Sequence, residues 1–570
     1  MNTPPLPPVS RRTVLATGAT GAGLAGLSGA SLASPALAAK SSPSRAVFAH
    51  GVASGDPLPD AVVLWTRVTP TPESTPGSGV GPRVSVKWEV ATDSAFRKIV
   101  RKGTFETGPD RDHTVKVDVT GLAPARWYWY RFRYDTVTSR VGRTRTAPAA
   151  DALPSNLRFG VVSCANWQAG WFSAYRGLAQ RTDLHAVLHL GDYLYEYAPG
   201  EYGYGQSNVD IRPHDPPREM VTLEDYRRRH AQYKTDPDLQ DAHALCPWIV
   251  TWDDHEVTND AWAEGAENHQ PQTEGDYLVR RARSHRAYDE WMPARMNGTA
   301  ALDDGSRLFR RLRFGRLAEL SMLDLRTYRS QQVHSPTASV DPAVSDPSRT
   351  ITGDQQMVWL KDSLQPGRAQ WKLVGNPVMV APVNFGDLPD ELVNPVADVT
   401  GLLPRNGAPY NVDQWDGYTA DRTEVFEHIR DNGVRDALFI TGDIHSGWAC
   451  ELPYDASTYT GVNPAEDSAG VEFVCSSVTS NNLKDITGTP PRTTSVAVEE
   501  GIKANNRHVR YLDFDSHGFS VLDLTPERAQ MDWFVIGDRA DKNTPITWST
   551  SFRTRSGTNK VEKADSEVRG

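Results

Sequence analysis

The chain has 570 residues and a formal net charge of −10, and 39% of its residues are hydrophobic. This length is enough for two domains, or for one large domain with insertions. The negative charge argues against stable nucleic-acid binding, which requires basic patches. Four cysteines are too few for a disulfide framework, although Cys450 and Cys475 lie near two predicted strands and could pair.

The first 38 residues are typical of a twin-arginine export signal. Ser-Arg-Arg at residues 10–12 precedes a Gly/Ala-rich apolar stretch, and Ala-Leu-Ala at 36–38 offers the small residues that a signal peptidase requires. The stretch is too rich in Gly, Ser and Thr for a good membrane-spanning helix. We therefore expect recognition by the twin-arginine export machinery, cleavage after Ala38, and a secreted or cell-envelope protein. No later apolar run could span a bilayer, so we expect no transmembrane segment in the mature form.

Residues 46–147 show the alternating pattern of β-strands. Apolar and polar side chains alternate from Val84 to Val90, as expected for a half-buried strand. The aromatic segment from Trp127 to Phe132 is similar to a strand of fibronectin-type sandwiches. We assign its aromatic side chains to the sandwich core rather than to a ligand platform. The pattern predicts an all-β supporting domain over residues 46–147.

From residue 153 onward, strands alternate with loops and helices, which predicts an α/β catalytic domain over residues 153–540. The predicted elements are strands at 157–162, 184–190, 248–252, 317–322 and 437–441 and helices at 171–182 and 222–244. A Tyr/Gly/Pro-rich insertion at 195–217 is expected to be a substrate-facing loop. Residues 553–570 form a polar tail that we expect to be disordered at its end.

Four short acidic motifs follow predicted strands, where an α/β sheet places its functional groups. They are Gly191-Asp192-Tyr193-Leu194-Tyr195, Asp253-Asp254-His255-Glu256, Leu323-Asp324-Leu325-Arg326 and Gly442-Asp443-Ile444-His445-Ser446. If these strands belong to one sheet, the motifs meet at one edge. So many carboxylates repel one another unless cations neutralise them. The sequence therefore predicts a metal-dependent hydrolase.

The residue types of the first two motifs suggest separate roles. Asp192 could bridge two cations, and Tyr195 could bind a trivalent ion as a phenolate. Cys164, after the strand at 157–162, would alone be a buried structural cysteine, but beside these groups it becomes a thiolate ligand for iron or zinc. Asp254 would be a metal ligand and His255 a hydrogen-bond donor or general acid. Each aspartate alone could also be a turn residue.

The residues of the last two motifs each allow a structural and a functional interpretation. Asp324 and Arg326 could form an ordinary surface salt bridge. Beside the other motifs, Arg326 becomes a bidentate anion clamp and Asp324 a further metal ligand. Asp443 and His445 project to one side of the chain, two residues apart, and the alternative there is a turn with a buried histidine.

The motifs at 163–166, 191–195, 252–257, 323–328 and 441–446 resemble, in this order, those of the PhoD-type alkaline phosphatase/phosphodiesterase family, as do residues 48–57 and the twin-arginine signal. The resemblance implies a calcineurin-like metallophosphatase fold. This is a β-sandwich core flanked by helices, preceded by a smaller fibronectin-like sandwich. The chain is more distantly similar to purple acid phosphatases, which have asparagine at the position of Asp254 and histidine at that of Asp443. Both differences favour hard cations such as calcium.

The resemblance implies ferric iron together with calcium. Iron would be held by Cys164, Asp192, Tyr195 and either His445 or Asp443. Calcium would be held by Asp192, Asp254, Asp324 and Asp443. The implied reaction is hydrolysis of phosphate mono- or diesters by a metal-activated hydroxide, with His255 and Arg326 contacting the substrate. One alternative is a phospholipase D-like or teichoic-acid phosphodiesterase using the same site, and a remote one is a non-catalytic surface binding module.

Overall fold

The computed structural model describes residues 46–202, 211–333, 341–384 and 411–569. The predicted export signal at residues 1–38 lies outside these ranges. None of the helices in the described ranges combines the length and apolar composition that crossing a bilayer requires.

The N-terminal segment forms a small two-layered β-sandwich. Its strands are β1 (Val52–Gly55), β2 (Val62–Arg67), β3 (Val84–Ala91), β4 (Ile99–Thr107), β5 (Thr114–Val119), β6 (Trp127–Tyr134), β7 (Val137–Thr138) and β8 (Gly142–Arg145). One layer contains β1, β2 and β5, and the other has β3 between β4 and β6, with β7 and β8 both paired to β6. The two layers share a hydrophobic core of their own.

Strand β6 divides its aromatic side chains between two faces because side chains alternate along a strand. Tyr128, Tyr130 and Phe132 are buried in the sandwich core, as predicted. Trp127 and Trp129 instead lie half-buried on the opposite face of the strand, where Trp127 packs against the core next to the helices of the second part. The assignment of the whole aromatic stripe to the core is therefore wrong for these two residues.

The second part of the chain contains two large sheets. Its strands are β9 (Leu157–Val162), β10 (Ala186–Leu190), β11 (Trp248–Thr251), β12 (Ala261–Trp262), β13 (Gly265–Ala266), β14 (Arg310–Phe314), β15 (Ala318–Met322), β16 (Trp371–Asn376), β17 (Ala437–Thr441), β18 (Gly447–Pro453), β19 (Ser468–Val474), β20 (Val509–Asp513), β21 (Gly518–Leu524), β22 (Arg528–Ile536), β23 (Ile546–Arg555) and β24 (Val561–Ala564). The α-helices are Ser173–Ala179, Leu223–Tyr233, Pro237–Leu245, Pro271–Glu274, Tyr277–Trp291, Asp354–Ser363, Thr419–Asp431, Pro464–Asp467, Leu483–Thr487 and Thr494–Asn505.

The first large sheet has the order β24-β23-β22-β21-β9-β10-β11-β1-β2-β5, and the second has the order β14-β15-β16-β17-β19-β18-β20. The N-terminal layer β1-β2-β5 thus extends the first sheet through a parallel pairing of Gly55 with Trp248. Strands β9, β10 and β11 are parallel neighbours, and so are β15, β16 and β17.

The expectation that one sheet carries all four acidic motifs is wrong. The motifs of Asp192 and Asp254 follow β10 and β11 of the first sheet, whereas those of Asp324 and Asp443 follow β15 and β17 of the second. The two sheets pack face to face, with ring contacts such as Phe159 to Phe314 at 5.2 Å. Further cores lie between each sheet and its helices. The predicted sandwich flanked by helices, with an all-β N-terminal domain, is confirmed.

Two local predictions fail for identifiable reasons. The single helix expected at 222–244 is two helices, because Asp236 caps a new helix whose first residue is Pro237. The tail at 553–570 is not disordered at its end, because β24 pairs with β23 at the edge of the first sheet. Cys450 and Cys475 are free, buried thiols.

Candidate metal centre

The candidate site lies where strands of both sheets end. Cys164 follows β9, Asp192 follows β10, Asp254 follows β11 and Asp443 follows β17. A Cβ atom on Gly442 would lie 2.7 Å from Cβ of Ser163, so the missing side chain lets the two sheets approach closely here. Side chains from both sheets can therefore face one another.

Four groups of ligand-type side chains meet at this edge, and the ligand atoms within each group lie within 4.8 Å of one another. They are Cys164/Asp192/His445, Asp192/Asp254/His255, Asp192/Asp253/Asp443 and Asp254/Asp260/Asp413. Asp192 belongs to three of these groups and Asp254 to two. The groups thus form one connected cluster centred on Asp192.

The first group has the donor set expected for iron. The hydroxyl of Tyr195 donates to Oδ2 of Asp192 at 2.8 Å and lies 3.3 Å from Nε2 of His445. Nδ1 of His445 lies 2.7 Å from the carbonyl oxygen of Asn481 and must carry the proton there. Nε2 of His445 is then the unprotonated nitrogen, which is the form that binds metals.

The ionisation of this group requires a compensating charge. Burial, followed by the Asp192 carboxylate, raises the pKa of the Cys164 thiol and of the Tyr195 hydroxyl well above their usual values. Burial also raises the pKa of Asp192, and Asp254 and Asp253 raise it further while His255 acts to lower it. Oδ1 of Asp192 is buried and accepts no hydrogen bond from the described residues. Thiolate, phenolate and carboxylate together therefore fit a bound cation.

The remaining groups offer carboxylate oxygens, which suit a hard cation such as calcium, and one of them also contains the imidazole of His255. Asp260 and Asp413 were missed by the sequence analysis. Asp260 follows Asp254 by six residues, and its backbone N–H donates to Oδ2 of Asp254 at 2.7 Å. No apolar run directly precedes Asp413 in the sequence, so the pattern of apolar run and acidic motif could not find it.

Asp324 is the predicted ligand that lies outside these four groups of described residues. Its Oδ1 accepts the backbone N–H groups of Arg326 and Thr327 at 3.1 and 3.0 Å, which stabilises the turn after β15. Its Oδ2 is buried and accepts no hydrogen bond from the described residues. The observed contacts are those of a turn residue, and a role as ligand stays a prediction.

His255 is held by a carboxylate that the sequence analysis did not select. Its Nδ1 lies 2.8 Å from Oε2 of Glu196, and Oε1 of Glu196 accepts the backbone N–H of Asn259 at 2.9 Å. Burial alone would lower the pKa of His255, but Asp254, Asp192 and Glu196 raise it well above its usual value. Glu196 directly follows the Gly-Asp-Tyr-Leu-Tyr motif, so its place in the sequence beside that motif could have identified it as a candidate site residue.

Tyrosines from the predicted loop surround His255. The ring centroid of His255 lies 4.2 Å from that of Tyr195, 5.5 Å from that of Tyr197 and 6.3 Å from that of Tyr202. Part of the Tyr/Gly/Pro-rich insertion, residues 203–210, lies outside the described ranges. The described part forms one wall of the site.

Arg326 is buried between carboxylates. Its Nε donates to Oδ1 of Asp253 at 2.5 Å, and its second terminal nitrogen donates to Oδ2 of the same carboxylate at 3.1 Å. Its first terminal nitrogen donates to Oδ1 of Asp413 at 3.1 Å. Arg326 thus offsets the charge of two acidic residues of the cluster, and its predicted role as a substrate clamp stays a prediction.

Glu256 connects the motifs of the first sheet. Its carboxylate accepts the backbone N–H groups of Asp192, Tyr193 and Asp253 at 3.0, 2.6 and 2.8 Å. The loops after β10 and β11 are therefore fixed relative to each other.

The backbone is strained at the candidate ligands. Cys164, Asp192, Asp443 and His445 have φ angles of 60°, 54°, 61° and 56°, in the left-handed region that residues other than glycine rarely adopt. Such strain persists only where the surrounding structure imposes it, and it concentrates at functional sites. Buried acids with a thiol, a phenol and imidazoles, several of them held in strained turns between two sheets, are the site of a metal-dependent hydrolase.

The comparisons with known proteins identify the family. A model of the PhoD-like phosphatases matches residues 159–533, and a model of the PhoD-like phosphatase N-terminal domain matches residues 32–148. Alkaline phosphatase D of Bacillus subtilis (strain 168) is 37% identical over 507 residues, which cover 89% of this chain and 80% of that protein. The solved structure of PhoD superposes with a TM-score of 0.80 at 34% identity, covering 93% of this chain and 94% of that chain.

The chain belongs to the PhoD-like phosphatase family. It is accordingly a metal-dependent phosphoric ester hydrolase, as the sequence motifs predicted. Its metal dependence agrees with the groups of candidate ligands around Asp192.

The contact between the loops after β10 and β11 can be tested at Gly191. This residue has a φ of +107°, and a Cβ atom there would lie 2.5 Å from Cβ of Asp253. We expect Gly191→Ala to lose bound metal and to unfold at a lower temperature. Gly367→Ala is the matched control, because Gly367 also has a positive φ (+83°) but no atom within 4 Å of the added Cβ. The control should lose roughly 1–2 kcal/mol from backbone strain alone and keep its metal. Equal metal content in both variants would show that the close contact does not shape the site.

Proposed function

We propose that this chain is an exported alkaline phosphatase that also hydrolyses phosphodiesters and uses iron and calcium. The observation that carries the proposal is the position of Asp192. It is shared between a group containing a thiol and an imidazole and two groups with further carboxylates. The first donor set suits iron and the oxygen-rich sets suit calcium. A carboxylate shared in this way would hold unlike metals side by side.

Bound cations at these positions would activate water and neutralise charge on the phosphoryl oxygens. The chain itself would supply the proton for the leaving oxygen from His255. Because Nδ1 of His255 faces Glu196 at 2.8 Å, its Nε2 is the nitrogen available to the substrate. Glu196 would hold the ring in place, and the surrounding tyrosines would limit the access of bulk water.

In this proposal Arg326 neutralises carboxylates of the cluster, whereas the sequence analysis predicted that it binds the substrate phosphate directly. Its bidentate contact with Asp253 and its contact with Asp413 reduce the repulsion within the cluster. The cluster can then keep its geometry while a substrate phosphate approaches. These contacts occupy the side-on and end-on pairs of N–H groups, so a bidentate contact with the phosphate would require the guanidinium to leave one of these carboxylates.

The proposal is tested by assaying the purified protein on p-nitrophenyl phosphate and on bis-p-nitrophenyl phosphate at alkaline pH. We expect hydrolysis of both, reversible loss with a calcium chelator, and recovery on addition of calcium. His255→Asn should lower kcat by about 10²–10⁴-fold, the range typical of a lost general acid, with metal content unchanged. His428→Asn, in the helix Thr419–Asp431, is the matched control and should be unaffected.

Near-normal turnover by His255→Asn with full metal occupancy would contradict the role of His255. Activity that survives complete removal of calcium would contradict the role of calcium. Faster turnover of a lipid or teichoic-acid diester than of either chromogenic ester would favour the phosphodiesterase alternative on the same site.

Export is a separate part of the proposal and rests on residues 10–12 and 36–38. Replacing Arg11 and Arg12 by lysine should leave the precursor in the cytoplasm, because the twin-arginine receptor reads the arginine pair. N-terminal sequencing of the exported wild-type protein should begin after Ala38. Arg45→Lys is the control, since it makes the same exchange outside the signal and should leave export unchanged. Normal export of the double-lysine variant would show that the arginine pair is not needed.

A further inference from the structure

The face of β6 and β8 that is turned away from the sandwich core carries two arginines beside one tryptophan, Trp127, which also packs against the core next to the helices of the second part. Strands β6 and β8 are antiparallel neighbours, with Trp127 opposite Arg145 and Trp129 opposite Arg143. The guanidinium carbon of Arg143 lies 3.7 Å from the ring centroid of Trp127, and that of Arg145 lies 5.3 Å from it. Both arginines are half-buried.

Neither arginine has a carboxylate within salt-bridge distance among the described residues. The terminal nitrogen of Arg143 donates to the carbonyl oxygen of Thr182 at 2.9 Å, and its Nε is buried without a hydrogen-bond partner in the described part of the chain. Arg131, on the same face, is by contrast paired with Glu89 at 2.7 Å. Two adjacent half-buried cations without an anion raise the free energy of the folded protein, because both charges are partly desolvated and repel each other. A bound anion would lower this free energy.

Two further arginines lie near this face, because Arg140 and Arg176 line the same groove as Arg143 and Trp129; the carboxylate of Asp241, also in that lining, is paired with Arg140 at 2.5 Å. Burial lowers the pKa of His185 to about 3, and Arg145 and Arg158 lower it too while Asp183 acts to raise it, so this imidazole is neutral at neutral pH and adds no charge. Burial lowers the pKa of Arg145, and Arg143 lowers it further. The groove lined by Arg143 and Trp129 has a volume of about 550 Å³ and lies between β8 and the helices Ser173–Ala179 and Pro237–Leu245. The positive face is therefore continuous with an open groove.

This face lies at the opposite end of the first sheet from the metal centre. His185 directly precedes β10, whereas Asp192 follows it, and β10 is five residues long, or about 17 Å at the usual rise per residue. A small phosphate ester in the metal centre could not reach Arg145. A ligand that contacts both places must be a polymer.

We propose that Arg143 and Arg145, with Trp127 and Trp129, form a docking face for a linear polymer of phosphodiesters joined by short polyol spacers. Charge complementarity supports this occupant, because the face is positive on a chain of net charge −10. The two arginines are two residues apart on one strand, about 6.6 Å, so they can contact successive phosphates, and guanidinium groups bind phosphate oxygens in pairs. Arg143 covers a face of Trp127, which leaves that ring poorly placed to stack on a nucleobase.

The inference rests on the proposed function, since the polymer belongs to the class of esters that the metal centre would hydrolyse. The test uses poly(glycerol phosphate) as the probe and isothermal titration of the metal-loaded, full-length mature protein carrying His255→Asn, which slows turnover. In this background, Arg143→Gln/Arg145→Gln should raise the Kd for the polymer at least about tenfold. The slope of log K against log salt concentration should also become shallower, by the amount expected for the loss of about two phosphate contacts.

Lys87→Gln/Arg133→Gln is the matched control. These two exposed cations are cross-strand neighbours on the same sheet, so the control removes the same charge away from Trp127. It should weaken binding less than about threefold, as expected for a loss of general attraction. Equal weakening by both double variants, or no weakening by either, would overturn the proposal. Single-stranded DNA of equal charge that binds as tightly through Arg143 and Arg145 would overturn it as well.

Hydrolysis of p-nitrophenyl phosphate separates this inference from the proposed function. Arg143→Gln/Arg145→Gln without the His255 change should hydrolyse this small ester at the wild-type rate. This result would show that the fold is intact and that the docking face is separate from the metal centre. A loss of this activity with native thermal stability would overturn the separation of the two sites. Failure of the wild type to hydrolyse any ester would refute the proposed function, while the binding comparison would still decide the docking face.

Discussion

The concentration of buried carboxylates around Asp192 is the constraint on which the rest of this structure depends. Asp192 is shared by three candidate ligand groups, and its burial beside Asp253 and Asp254 raises its pKa. Such a cluster can stay ionised only with compensating positive charge. Arg326 supplies part of that charge through Asp253 and Asp413. Cations bound among the carboxylates would supply the rest.

The fold positions these groups through close contacts and strained turns rather than through one continuous sheet. Gly442 lets the end of β17 approach Ser163 at the end of β9, and Glu256 fixes the loop after β10 to that after β11. The left-handed backbone at Cys164, Asp192, Asp443 and His445 is the local cost of turning these side chains inward. Small errors at these contacts would misplace several ligand atoms at once.

Much of this arrangement follows from the sequence, because buried strands and the acidic motifs behind them have local signals. The strand Ala186–Leu190 and the motif of Asp192 are where the pattern places them. The distribution of motifs over two sheets could not be predicted, since strand order depends on contacts between distant residues. Asp413 was missed because no apolar run directly precedes it in the sequence. The partners of Arg326 were missed because ion pairs across 73 and 87 residues leave no local pattern.

Metal analysis of the purified mature protein, combined with visible absorption spectroscopy, tests the central claim most directly. The account predicts stoichiometric iron together with calcium, and a charge-transfer band from the Tyr195 phenolate and the Cys164 thiolate. Cys164→Ser should shift this band and weaken iron binding. Cys246→Ser, which changes another free buried cysteine, should leave both unchanged. A colourless, fully active protein that contains only zinc would contradict the account.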